Sequence, residues 1–156
     1  MATSIPARRS GGPDSASLGE LAARLRVAIT RTARRLRQEA GGDLSPSQTA
    51  ALVTLERYGP LTPSELADLE RVQRPTATRI VARLEEAGLA ARAADPDDRR
   101  SFVVAATPEG SALLRKLRTR KNAYLARRLR DLDAADLATL ERAADILERL
   151  QEGGRS

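Results

Sequence analysis

The chain has 156 residues, 41% of them hydrophobic and 2% aromatic, and carries 27 Lys+Arg against 21 Asp+Glu for a net charge of +6. That length suits one domain with a core of Leu, Ala, Val and Ile, and the basic balance favours an acidic partner, nucleic acid above all. Cys and His are absent, which excludes disulfides, thiol redox sensing and the usual zinc sites, and no apolar run approaches the ~18 residues of a membrane span.

Residues 1–16 are rich in Ser, Gly, Pro and Arg and lack the apolar stretch of a secretory signal, so a disordered tail is expected there. Ser17-Leu18-Gly19-Glu20 reads as a capping box, in which Ser and Glu side chains satisfy the first free amides of a helix. The helix runs to about residue 40, where Gly41-Gly42 stops it. Its apolar positions are Leu18, Leu21, Leu25, Ala28 or Ile29, Thr32 or Ala33, and Leu36. This stripe is narrow, closer to a helix–helix seam than to a broad core face. Arg24, Arg26, Arg31, Arg34, Arg35 and Arg37 read as a solvated face, with an anion contact as the alternative.

Ser45-Pro46-Ser47-Gln48 opens a second helix by the same capping logic, with Pro46 at the first position, where its missing N–H does no harm. Ala51, Leu52 and Leu55 are its expected core residues, and Tyr58 ends it before Gly59-Pro60. Thr62-Pro63-Ser64-Glu65 opens a short third helix whose Leu66, Ala67 and Leu69 are expected to face inward. After a turn at 70–73, Pro75 marks the start of a fourth helix to within a residue or two, because no Ser or Thr cap stands near Gln73. Ala77, Ile80, Val81 and Leu84 line one side of it, and Gly88 is its left-handed stop. Arg74, Thr76, Thr78, Arg79, Arg83 and Glu86 fall elsewhere on it. A short helix with an apolar back and a Thr/Arg front can lie in a major groove, Arg bonding guanine edges and hydroxyls bonding bases or phosphates. Any solvated amphipathic helix shows similar residues, so the segment after Gly88 decides between the two.

Ser101–Ala106 is a strand by its β-branched and aromatic content, whereas Leu89–Ala94 is Ala-rich and a poor one. The Asp95-Pro96-Asp97-Asp98 turn between them argues for a hairpin, since Pro presets φ and Asp bonds its own backbone. A tip bearing Arg99 and Arg100 can reach a phosphate or enter a minor groove. Thr107 then caps a long helix begun by Pro108, with Leu113, Leu114, Leu117, Tyr124 or Leu125, and Leu129 at helical spacing. Its basic residues, among them Arg118 and Arg120, are expected in solvent. Asp133 caps a last helix carrying Leu137, Leu140, Ala144, Leu147 and Leu150.

Asp98-Arg99-Arg100-Ser101, followed by Thr107-Pro108-Glu109-Gly110, resembles the wing signature of MarR-type transcriptional regulators. That signature is Asp, any residue, Arg, five residues, Leu-Thr, two residues and Gly. Ala106 stands at the Leu position, a departure that weakens packing under the wing. The resemblance implies a fold that is mostly α with a small β-wing. A winged helix-turn-helix at about 45–106 would sit between dimerisation helices at about 17–40 and 107–150, within a single domain at 17–152. It implies that Arg100 enters the minor groove and that Asp98 orients it. It also implies a DNA-binding regulator in the bacterial cytoplasm, a ligand-responsive repressor that takes a small aromatic or anionic effector. Tyr58, Tyr124 and the Arg31/Arg34/Arg35 cluster are candidate effector contacts, each also readable as structural or solvated.

The first and last helices end in the same need. Neither stripe can be buried on so small a unit, and a second copy of the chain would bury both. Leu18, Leu21, Leu25, Leu137, Leu140 and Leu147 are therefore the expected dimer interface. A two-fold dimer requires a near-palindromic site on double-stranded DNA, its half-sites ~10 base pairs apart. The competing arrangement is a monomer whose terminal helices pack on each other. The competing function is a winged-helix protein-interaction module without sequence-specific DNA binding. Enzymatic function is the weakest reading: Asp95, Asp97 and Asp98 sit in a solvated turn beside Arg99 and Arg100 and stay ionised, and there is no phosphate-cradling Gly-rich loop. No metal or organic cofactor is expected. The preference for Arg over Lys fits bidentate phosphate contacts and a GC-rich genome about equally.

Overall fold

A computed structural model describes residues 15–95 and 101–152. In chain order the elements are α1 (Ser15–Ala40), α2 (Pro46–Tyr58), α3 (Pro63–Glu70), α4 (Arg74–Glu86), β1 (Ala90–Ala94), β2 (Phe102–Ala106), α5 (Pro108–Leu129) and α6 (Ala134–Glu152). The chain divides into two compact units between Gln38 and Glu39.

The first unit is α1 up to that point. The helix is already formed at Ser15, so Ser17 lies inside it and is not its cap. Ser and Ala cost a helix little, and nothing in Ser15-Ala16 stops it from extending past the expected start. Leu18, Leu21, Leu25 and Ile29 are all exposed on it.

The second unit is built by local signals that work as expected. Ser45 and Thr62 form complete capping boxes with Gln48 and Glu65, and Pro46 and Pro63 follow them directly. The Glu65 carboxylate accepts hydrogen bonds from the Thr62 backbone amide and hydroxyl, which hold its pKa below the usual carboxylate range. Asp133 caps α6 by accepting from the Asp136 amide at 2.8 Å.

Ala51, Leu52 and Leu55 of α2, Leu66 of α3, and Ile80, Val81 and Leu84 of α4 meet in one buried cluster with Leu89, Ala90, Val104 and Leu114. Leu69 is not part of it and is 48% exposed. The inward stripe of α3 runs through 63, 66, 67 and 70, and Leu69 falls about 100° off it. Glu70 occupies that stripe instead, its carboxylate accepting a hydrogen bond from the Thr54 hydroxyl on α2.

β1 and β2 pair antiparallel, Ala90 opposite Ala106 and Ala94 opposite Phe102. Each strand is one residue shorter than expected at its start. A third backbone segment joins this sheet: the Leu61 and Val104 amides each donate to the other's carbonyl, at 3.0 and 2.8 Å. The loop before α3 thus braces the inner edge of the hairpin. Thr107 locks the far end. Its hydroxyl donates to the Gly88 carbonyl at 2.8 Å and accepts from the Gly110 amide at 3.1 Å. Gly110 has a steric reason: a Cβ there would overlap the Leu89 carbonyl oxygen.

On α5, Leu114 and Leu117 are buried, Tyr124 is half-buried and Leu125 is exposed. Two arginines expected in solvent have structural partners. Arg118 pairs with Glu56 of α2 at 3.0 Å, and Arg120 donates to the Ala40 carbonyl at 2.9 Å. Both partners lie on other helices, which helical spacing alone does not reveal. On α6, Leu137, Leu140 and Leu150 are exposed and Leu147 is half-buried.

Candidate nucleic-acid interface

The α3–turn–α4 segment begins with an unusual corner. Arg71 closes α3 in the left-handed region, at φ 53° and ψ 43°, the single positive φ outside glycine among the described residues. That conformation costs a residue with a Cβ about 1–2 kcal/mol. It is held by the Arg71 and Val72 amides, which donate back to Asp68 and Ala67 carbonyls. The turn therefore carries a cation that the helix pattern did not single out.

Helix α4 starts one residue before Pro75, with Gln73 as an N-cap whose side chain makes no capping bond. The missing cap costs little, because Pro75 has no N–H and the Thr76 and Ala77 amides both donate to the Gln73 carbonyl. The helix ends as its sequence foretells. Gly88 sits at φ +69°, its amide donating to Glu85 and the Leu89 amide donating to Leu84, the paired bonds of a glycine-terminated helix.

One side of α4 is fixed by burial: Ala77, Ile80, Val81 and Leu84. Of the residues expected to face out, Arg74, Thr78, Arg79 and Arg83 are exposed, while Thr76 is half-buried beside the core stripe. Thr78 turns its hydroxyl back to the Arg74 carbonyl at 3.0 Å. Arg83 makes a largely exposed ion pair with Glu86 at 2.9 Å, an interaction of little strength. Arg74 and Arg79 pair with no acid among the described residues. A rigid helix thus offers arginine side chains on its outer face. Asp98, Arg99 and Arg100, expected at the hairpin tip, lie outside the described residues.

Sequence reasoning also missed Arg92. It stands on β1 and reaches Glu85 of α4, with Nε 2.8 Å from the carboxylate. The residues expected as effector contacts stand on three different helices, α1, α2 and α5. Tyr58 is exposed under the Arg57 guanidinium, and Arg31, Arg34 and Arg35 are exposed on α1. Tyr124 lines an open cleft of about 280 Å³ with Glu39, Arg127, Arg128 and Asp131. Arg128 lies 5.5 Å from the Tyr124 ring centroid, and a hydrogen bond to Tyr124 raises its pKa. Among the described residues no helix is long and apolar enough to cross a membrane, and no cluster of acids could hold a metal ion.

A helix pair with a left-handed corner, followed by a hairpin packed on its second helix, defines a winged helix-turn-helix protein. The MarR family model matches residues 44–102. An HTH-type transcriptional regulator of Mycobacterium tuberculosis is 37% identical over 81% of this chain and 90% of its own length. The multiple antibiotic resistance protein MarR of Salmonella typhimurium is 32% identical over 64% of this chain and 69% of its own. A crystal structure of a transcriptional regulator protein from Pseudomonas aeruginosa superposes with a TM-score of 0.79 at 35% identity, covering 89% of this chain and 98% of that one. The chain belongs to the MarR family of DNA-binding transcriptional regulators and is not an enzyme.

Proposed function

We propose that the protein is a homodimer that reads a near-palindromic site on double-stranded DNA and represses transcription until an effector binds, in the bacterial cytoplasm. In this reading α4 lies in the major groove, where Arg79 and Arg83 address base edges and Arg74, Thr76 and Thr78 address bases or phosphates. Arg100 enters the adjacent minor groove, oriented by Asp98, with Arg99 near the backbone. The observation that carries this reading is α4 itself: one side immobilised in the core, the other presenting Arg74 and Arg79 without acidic partners among the described residues.

Dimerisation is supported by the exposed leucines of the terminal helices, Leu18, Leu21 and Leu25 on α1 and Leu137 and Leu140 on α6, with half-buried Leu147 beside them in sequence. Two copies of these stripes would bury one another. In this division residues 17–152 act as a single domain in which the terminal helices set the spacing of the reading units. A small aromatic acid as effector would meet the Tyr124 ring and the Arg127 and Arg128 guanidinium groups in the open cleft, beside the Glu39 and Asp131 carboxylates.

Footprinting on the DNA flanking the protein's own gene tests the whole reading. The expected result is a protected site with two-fold symmetry and half-sites ~10 base pairs apart. Affinity should fall with log[salt] at a slope of about −0.9 for each phosphate neutralised. A panel of aromatic acids should release the complex. No protection at moderate salt would favour a protein-interaction role instead.

A further inference from the structure

Side chains on paired strands alternate between faces, so residues directly opposite share one. Arg92 is directly opposite Val104, which is fully buried. Arg92 therefore stands on the core-directed face of the hairpin, where a strand patterned only for burial would carry an apolar residue. Its guanidinium lies 4.4 Å from the centroid of the Phe102 ring, the diagonal neighbour on that face. Its Nε donates to Glu85 in the last turn of α4 at 2.8 Å. Phe102 in turn packs against the buried cluster. One side chain thus connects α4 to a ring packed against the core.

The rest of β1 is Ala90, Ala91, Ala93 and Ala94. Alanines give an edge strand little to hold it, and a two-stranded hairpin is marginal by itself. The brace from Leu61 acts on β2, not on β1. We infer that Arg92 is a positioning residue: the Glu85–Arg92–Phe102 clasp sets the hairpin's angle to α4, so that helix and hairpin meet one duplex together. Arginine suits this place because its planar group can stack on a ring while its edge bonds a carboxylate, which lysine cannot do at once. The inference rests on the DNA-binding role proposed for α4 and the hairpin.

The test compares wild type, Glu85→Gln and Arg92→Lys in a salt titration against the protein's own upstream DNA. The clasp predicts that both variants bind about three- to tenfold more weakly, with the thermal midpoint held. It also predicts a salt slope for the dimer shallower by about 1.8, because each protomer neutralises one fewer phosphate. General electrostatics predicts the reverse for Glu85→Gln, since removing a negative charge tightens DNA binding. A direct phosphate role for Arg92 predicts that lysine substitutes well. Unchanged or tighter binding by Glu85→Gln, or full activity of Arg92→Lys, overturns the clasp. Amide exchange without DNA gives the second readout. Faster exchange along β1 in both variants supports the clasp, and unchanged rates overturn it whatever the DNA result. Faster exchange in a protein whose wild type ignores its upstream DNA would sink the DNA reading and leave the clasp standing.

Discussion

The reading unit and the terminal helices are both made of leucine and alanine at helical spacing, and they end in opposite states. Leu52, Leu84 and Val104 of the reading unit are completely buried, whereas Leu21 of α1 is 50% exposed and Leu140 of α6 is 46% exposed. The contrast lies in what each stripe meets. Helices α2, α3 and α4 are short and fold their apolar sides onto a common point with the hairpin. The apolar side of α6 is left facing outward in the single chain. A motif that must hold an arginine-bearing helix still has a closed core. Helices whose proposed partner is another chain have an open seam.

Four measurements sharpen or break that contrast. Leu84→Ala should cost the most, about 2–5 kcal/mol of folding stability by urea denaturation, because a fully buried leucine leaves a cavity. A loss near that of a surface site would mean that the core is not closed. Arg79→Ala should leave stability within about 0.5 kcal/mol yet cost about 1–3 kcal/mol in binding the specific site. Equal loss on random DNA would contradict base reading. Leu140→Ala should leave the monomer fold intact and weaken the dimer by about 2 kcal/mol, two half-exposed leucines each losing about 1 kcal/mol of burial. Sedimentation velocity reads this, and an unchanged dimer would remove α6 from the interface.

The smallest effect is one of pH. Because the folded Glu65 carboxyl titrates below its ordinary 4.5, its contribution is fully present above that value and lost as pH falls through the lower folded value. Thermal midpoints of wild type and Glu65→Gln should therefore differ by a constant between pH 7 and 5. Below pH 4.5 the wild type should lose ground. A parallel course to pH 3 would show that the Thr62 cap does not depend on the ionised acid.

Local chemistry decided what stood within a turn or two of its cause. Pro46, Pro63 and Pro108 each open a helix, Ser45, Thr62, Thr107 and Asp133 cap one, and Gly88 ends one, since a cap or a left-handed stop involves atoms only a few residues apart. The four buried positions of α4 were legible for the same reason, as a 3.6-residue period is a property of one helix. Contacts between distant segments were not. Leu61 pairing with Val104, Glu70 displacing Leu69 from the inward stripe, Gly110 yielding space to the Leu89 carbonyl, and Arg92 lying between Glu85 and Phe102 all depend on which surfaces meet after the helices pack. Residue order carries no direct record of that meeting, because strand register and helix rotation are settled by the shared core and not by either partner alone.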